Sequence, residues 1–365
     1  MQKCLLVILS LMIYMETTAQ KKAVSDSTTY KKHSMLALPV VYYSPETKFA
    51  FGALAYNLFK PHPLDSLAQT SYVRTAFIYT LNNQYLLEVD NQIFFRDDRR
   101  RMKNYFLLRS YPDSFYGIGQ DIVPEEDRDL IKFFDLTFRS SYLFQLFDNM
   151  YLGARYQYYD AMDIEKPEEN LLDTNDHLGK DGYRTSGLGI AFQWDTRNNI
   201  LNASSGYFIE LESEHNFKAI GSTYRYDWMR LDMRYYKRVN KSGVVATQFR
   251  GDFTSGDVPF ESLAKLGDSR IMRGYFKGKY RDKVVMATQV EYRQHVWRRF
   301  GLVGFVGAGN IAPALDQFST DQLKYNYGGG VRFMVKKKEE LNIRIDYGIG
   351  NDDNSGFYVE ISEAF

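Results

Sequence analysis

One segment of this 365-residue chain carries charge where its neighbours favour burial: Leu266-Gly267-Asp268-Ser269-Arg270-Ile271-Met272-Arg273-Gly274-Tyr275. Ile271 and Met272 are apolar, Arg273 is a permanent cation, and Gly274 and Tyr275 add a flexible joint and a ring. A guanidinium taken out of water needs a carboxylate, because a buried charge left alone is costly. The chemistry offered is therefore ion pairing inside a folded structure rather than group transfer. No G-x-S-x-G elbow, H-E-x-x-H pair or P-loop occurs. The five histidines are scattered, and only His295 falls on an inward alternating face, beside Glu291 and Arg293. The expectation is a protein that is not an enzyme, with no cofactor and no metal site. Two other polar runs have plain readings and sharper ones. Arg99-Arg100-Arg101 is either a solvated turn or a contact with anionic lipid or a partner. Asn351-Asp352-Asp353-Asn354 is either a hydrophilic turn or a cation ligand set.

The elements that must position these residues alternate with period two. In 341–349, Leu341, Ile343, Ile345, Tyr347 and Ile349 oppose Asn342, Arg344 and Asp346. In 284–297, Val284, Met286, Val290, Tyr292 and Val296 oppose Gln289, Glu291, Arg293 and His295. Side chains alternate across a strand, so each segment has one greasy and one charged face. Many segments run for about nine or more residues, the length of a tilted transmembrane strand. Rings cluster at segment ends, as in Phe94-Phe95 and Tyr235-Tyr236, which suits interfacial girdles. Sixteen such segments follow one another, among them 36–43, 103–111 and 356–365. The prediction is an all-β fold: a 16-stranded antiparallel transmembrane β-barrel over 36–365. An even count puts both ends on the periplasmic side, with the long connections 112–131, 161–182, 254–283 and 310–324 outside.

Composition agrees. Lys+Arg is 46 and Asp+Glu is 45, a balance that excludes nucleic-acid binding by bulk positive charge. Residues 1–19 read as a secretory signal peptide: basic Lys3, an apolar run from Cys4 to Met15, and small residues ending at Ala19. Cys4 is the single cysteine, so an exported chain would carry no disulfide. Residues 20–35 read as a short polar periplasmic tail, too short for a core of its own. The predicted location is the outer membrane of a Gram-negative bacterium.

The loop tip resembles the [V/I/L]-R-G-[F/Y] tip of the inward-folded sixth extracellular loop in the BamA/TamA superfamily of outer-membrane assembly factors. The resemblance extends to Gln289-Val290-Glu291-Tyr292-Arg293, Phe305-Val306-Gly307-Ala308-Gly309-Asn310, Asp195-Thr196-Arg197-Asn198-Asn199 and the ending from Gly356 to Phe365. It implies that Ile271, Met272, Arg273, Gly274 and Tyr275 lie in the lumen, with Arg273 paired to acids on neighbouring strands. The family's strand-thirteen Asp is Gly307 here, so Glu291 is the substitute partner, with Asp346 second. Phe357, Val359, Ile361 and Phe365 resemble the C-terminal signal read by the barrel-assembly machinery, with Glu363 departing from its apolar trend. Residues 20–35 cannot hold a periplasmic POTRA domain, so the resemblance is to a barrel-only branch.

What this implies for function is insertion, assembly or translocation of outer-membrane or secreted proteins. The surroundings would be the lipid bilayer and lipopolysaccharide, and the partners the barrel-assembly machinery and client proteins. A weak seam between first and last strands would be the physical basis, and Pro39 in the first strand either weakens that closure or marks the strand start. The alternative is a passive or plugged pore, or a scaffold, without insertase activity.

Overall fold

The computed structural model describes residues 33–44, 48–62 and 69–365. The expected signal segment 1–19 and residues 20–32 of the expected tail lie outside them. Sixteen long strands form one antiparallel sheet in chain order. They are β1 His33–Ser44, β2 Lys48–Phe59, β3 Ser71–Thr80, β4 Tyr85–Phe94, β5 Arg100–Phe115, β6 Asp129–Phe147, β7 Met150–Glu165 and β8 Tyr183–Asp195. They continue as β9 Gly206–Asn216, β10 Tyr226–Arg238, β11 Gly243–Gly256, β12 Val284–Trp297, β13 Phe300–Ala312, β14 Lys324–Lys336, β15 Leu341–Gly350 and β16 Ser355–Ile361. A short ladder, Ala264–Lys265 with Arg281–Asp282, closes the base of the long loop between β11 and β12.

Alternation places the charge inside. On β12, Glu291 is fully buried while its neighbours Val290 and Tyr292 are 45% and 40% exposed. The same parity puts Lys103 of β5 beside Glu210 of β9 (2.5 Å), and Arg155 of β7 beside Glu214 of β9 (3.0 Å). The lumen is thus an ion-paired interior and the outer face is apolar, the arrangement a lipid-embedded barrel requires.

Several boundaries differ from those read in the sequence, three of them with a local reason. β1 starts at His33, so three residues assigned to the tail belong to the sheet. β5 runs to Phe115, past Pro112, which pairs with Lys132 of β6. Its ladder with β4 ends at Ser110, so Pro112 lies where β5 has a free edge and its missing donor costs no bond. β16 ends at Ile361 rather than Phe365, because Ser362 turns the chain with φ 76°.

Closure also differs. Among the described residues no ladder joins β1 to β16. The two edges meet through side chains instead. Leu36 and Leu38 of β1 and Tyr56 and Leu58 of β2 share one hydrophobic cluster with Leu341 and Ile343 of β15 and Ile361 of β16. Two features work against a full ladder. Pro39, opposite Ala53 of β2, has no donor to offer, and β16 is only 7 residues long.

Candidate functional site

The loop 257–283 turns back into the lumen, and local hydrogen bonds shape its tip. The Asp268 carboxylate accepts from the backbone N–H groups of Arg270 (2.6 Å) and Ile271 (2.8 Å), and Asp268 N–H donates to the Ile271 carbonyl (3.0 Å). This tight turn holds Met272 at φ 53°, a left-handed conformation that a non-glycine residue rarely adopts. Burial works to raise the Asp268 carboxyl, but Arg250 and Lys277 and the two backbone donors outweigh it and hold it well below the usual range. Ile271, Met272 and Tyr275 pack with Leu266, Tyr280, Val285, Ala287 and Ile311 in one apolar cluster.

Arg273 is fully buried. Its Nη2 lies 2.6 Å from Glu291 Oε2 on β12, and its Nη1 lies 2.7 Å from Asp346 Oδ2 on β15. The sequence left a choice between these two acids, and the structure brings both to the same guanidinium. The ring of Phe305 on β13 lies under it, with Cζ 3.5 Å from the centroid. The fork and the face of the guanidinium are both occupied, which no lysine could reproduce.

The backbone of the tip is held as firmly. The Arg273 carbonyl accepts from Asn326 Nδ2 of β14 (2.8 Å), and Gly274 N–H donates to the Tyr358 hydroxyl of β16 (2.9 Å). Gly274 has φ 115°, and a Cβ there would stand 3.1 Å from the backbone of Gly348 to Gly350. Tyr275 donates its hydroxyl to the Tyr325 carbonyl (2.9 Å) and accepts from Asn351 N–H (3.0 Å). The Asn351–Asn354 turn therefore serves the loop tip.

Gly307 stands where the resemblance expects an aspartate. A Cβ on Gly307 would fall 2.4 Å from the Asn326 carboxamide oxygen. The Asn326 side chain takes the space that residue would need, and it spends its donor on the Arg273 carbonyl. Sequence reading passed over Asn326 and gave no role to Phe305, Tyr358 or Gln289, whose Oε1 lies 3.5 Å from Arg273 Nη2, although these three stand within its motifs. The inward parity of Asn326 across from Gly307 was the available signal.

Arginines shared with the acids under Arg273 reach the last residues of the chain. Glu291 Oε1 also takes Arg293 (2.7 Å), and Asp346 also takes Arg344 (2.7 Å) and Arg332. After Ser362 the chain enters the lumen. Glu363 receives Arg332 (2.7 Å) and Asn342 (2.6 Å), and Arg293 donates to the Phe365 carbonyl (2.9 Å). Phe365 packs against Tyr236 of β10, with Ala203 and Ala246. Phe357 and Val359 face outward, about half exposed, but Ile361 is buried in the seam cluster and Phe365 lies in the lumen. The four apolar residues of the expected signal thus occupy three surroundings. Glu363 departs from the apolar pattern because it is an acid of this network.

Two other expectations are corrected. His295 is exposed at the barrel rim, with Nε2 on the Arg298 carbonyl (2.9 Å), because the ladder slips between His295 and Trp297. Arg101 is not part of a solvated turn. It is buried on the Tyr151 ring (3.8 Å) and paired with Asp98 (2.6 Å) and Asp195 (3.1 Å). Near the short-turn end, the connection 196–205 reaches across the lumen. The Arg197 carbonyl accepts from Gln69 (3.4 Å), and Asn199 donates to the Glu339 carbonyl (3.3 Å).

The comparisons with known proteins follow the same geometry. A family model described as "Omp85 superfamily domain" matches residues 79–365. No curated protein matches the chain by sequence. Among solved structures, CdiB from Escherichia coli is similar over 94% of this chain and 64% of its own, with TM-score 0.58 and 10% identity. BamA from Haemophilus ducreyi lacking POTRA domains 1-3 is similar over 90% of this chain and 68% of its own, with TM-score 0.54 and 11% identity. CdiB from Acinetobacter baumannii gives the same score and identity over 90% of this chain and 59% of its own. The chain thus spans between 59% and 68% of the length of these three, and the likeness is one of fold.

Proposed function

Because this chain belongs to the Omp85 superfamily, we propose that it serves the insertion, assembly or translocation of outer-membrane or secreted proteins. One observation carries the reading: the first and last strands of the sheet share side-chain contacts but no ladder among the described residues. A strand edge with unpaired N–H and C=O groups can accept another strand, and main-chain bonds then supply affinity without sequence specificity. The edge of β16 is short and the edge of β1 holds Pro39, so opening this seam breaks few backbone bonds. The buried loop tip is the fixed part. It ties β12, β13, β14 and β15 into one block and touches β16 through Tyr358, leaving β1 as the side free to part.

Chemical closure of the seam tests this. The described chain contains no cysteine, so a cysteine pair can be placed with one member in Leu36–Val40 and the other in Phe357–Ile361. Oxidation of the pair should stop client insertion or export in cells, and reduction should restore it. Full activity with the pair demonstrably crosslinked would refute the reading in favour of a passive barrel.

A further inference from the structure

We propose that the rim of the barrel at its short-turn end is a collar that binds anionic phospholipid headgroups. The proposal goes beyond any client function and rests only on the chain being a membrane-embedded barrel. It starts from cations that the interior does not use. The lumen arginines Arg273, Arg293 and Arg332 have acids beside them. Arg99 of the β4–β5 turn and Arg100 at the start of β5, Lys237 near the end of β10 and Lys241 of the following turn, and Arg298 and Arg299 of the β12–β13 turn are exposed. Among the described residues none of these six has a carboxylate within ion-pair distance. In the β4–β5 turn itself the acids are committed elsewhere, Asp98 to Arg101 (2.6 Å) and Asp97 to Arg96 (3.9 Å); Asp148, Glu339 and Glu340 stand in other short turns of the same rim, outside ion-pair distance of the six. The chain as a whole is almost neutral, at +1, and exposed acids gather at the opposite end. Glu125, Glu126 and Asp127 lie in one long loop there, and Asp316 and Asp321 in another. The charge is polarised along the barrel axis.

The depth of these cations selects the partner. The Arg298 guanidinium lies 4.6 Å from the ring of Trp297, and that of Arg100 lies 5.9 Å from Phe95. Trp297 is 57% exposed on the outer face and stacks on Phe300 (6.2 Å), which meets Phe333 (5.1 Å). Phe95 meets Tyr142 (6.0 Å), which meets Phe144 (5.0 Å). Outward rings at the end of transmembrane strands mark the membrane interface. Guanidinium groups folded onto those rings stand at the level of lipid phosphates. An acidic protein would meet the turn tips from the water side and would not need cations laid along the girdle. A cation near an anionic membrane surface favours the charged lipid about five-fold.

Trp297 itself reports on the lipid beside it. In a Trp194→Phe/Trp228→Phe background its fluorescence is measured in phosphatidylcholine vesicles containing either brominated phosphatidylglycerol or brominated phosphatidylcholine. Brominated phosphatidylglycerol should quench as though enriched about five-fold at the ring. The enrichment should fall toward one in Arg298→Gln/Arg299→Gln, whose folding is checked by heat-modifiable migration, and in about 0.5 M salt. Equal quenching by the two lipids, or enrichment that survives the double substitution, overturns the proposal. So does an absent enrichment combined with crosslinks in cells from position 299 to an acidic periplasmic protein, which would assign the collar to that protein.

Discussion

Arg273 shows what a single buried cation demands of its surroundings. It takes one acid at each end of its fork and a ring beneath, and each of those groups comes from a different strand. Glu291→Gln keeps the shape and removes the charge that Arg273 and Arg293 share. Breaking a buried pair by removing one partner costs about 3–5 kcal/mol. The barrel should therefore lose heat-modifiable migration at a clearly lower temperature, and an unchanged midpoint would mean that the guanidinium is solvated. Gly307→Asp supplies the acid that the resemblance expects, yet the space is taken by Asn326. That substitution alone should destabilise the barrel, and Asn326→Ala beside it should recover part of the loss. Additive losses in that double-mutant cycle would show that the two positions do not compete. Both acids under Arg273 were legible in the sequence, since alternation puts Glu291 and Asp346 inside. The choice between them was not, because parity gives the face of a strand and not its height along the axis. Asn326 was harder still: an amide carries no charge to announce a role.

At the scale of elements, strands were the readable part and their ends were not. Greasy and charged residues alternate wherever a wall separates lipid from lumen, so all sixteen strands could be found. Pro112 hid the end of β5 because its tolerance depends on where β4 stops, a matter of register. Ser362 hid the end of β16 because the cations that draw the following residues inward lie on β12 and β14. The loop 257–283 is pinned at its base by Glu261, which receives Lys265 and, at 3.0 Å, Arg281. Burial works to raise this carboxyl, but Lys265, Arg281 and Arg109 outweigh it and hold it at about 2. A folded-state value below the unfolded one of about 4.3 means that the stabilisation is complete above that value. It is lost as pH falls from about 4.3 toward about 2, and Asp268, also held low, adds to it with the same sign. Protease cleavage within 257–283 should rise as pH drops through that window, and Glu261→Gln should show part of the rise already at neutral pH. A cleavage rate flat from neutral to acid would remove the pair as an anchor. The end of the chain makes a separate prediction. Deleting 362–365 removes an expected biogenesis signal and a lumen contact together, whereas Glu363→Gln disturbs only the contact. If Phe365 serves recognition, the deletion should lower outer-membrane levels much more than Glu363→Gln does; equal levels would leave the tail a purely structural role.

For the whole molecule, the question is what an interior filled from both ends does to permeation. The loop tip is locked to β12, β14, β15 and β16 from one side, and the connection 196–205 reaches toward the β2–β3 and β14–β15 turns from the other. Neither obstruction was visible in composition or periodicity, which describe walls and not contents. With the lumen obstructed from both ends and ion pairs crossing between its walls, the intact barrel in a planar bilayer should be electrically quiet. Removing 266–278 takes out Asp268, Arg273 and Tyr275 together and leaves Glu291 and Asp346 facing an emptied space with Arg293, Arg332 and Arg344. Conductance should then appear, provided the sheet stays folded, which heat-modifiable migration checks. The seam crosslink should leave this new conductance unchanged, because the ion path runs along the axis and the seam opens sideways. Conductance in the intact barrel that vanished on crosslinking would reverse that assignment: the leak would run through the seam, and the plug would have no part in keeping the barrel tight.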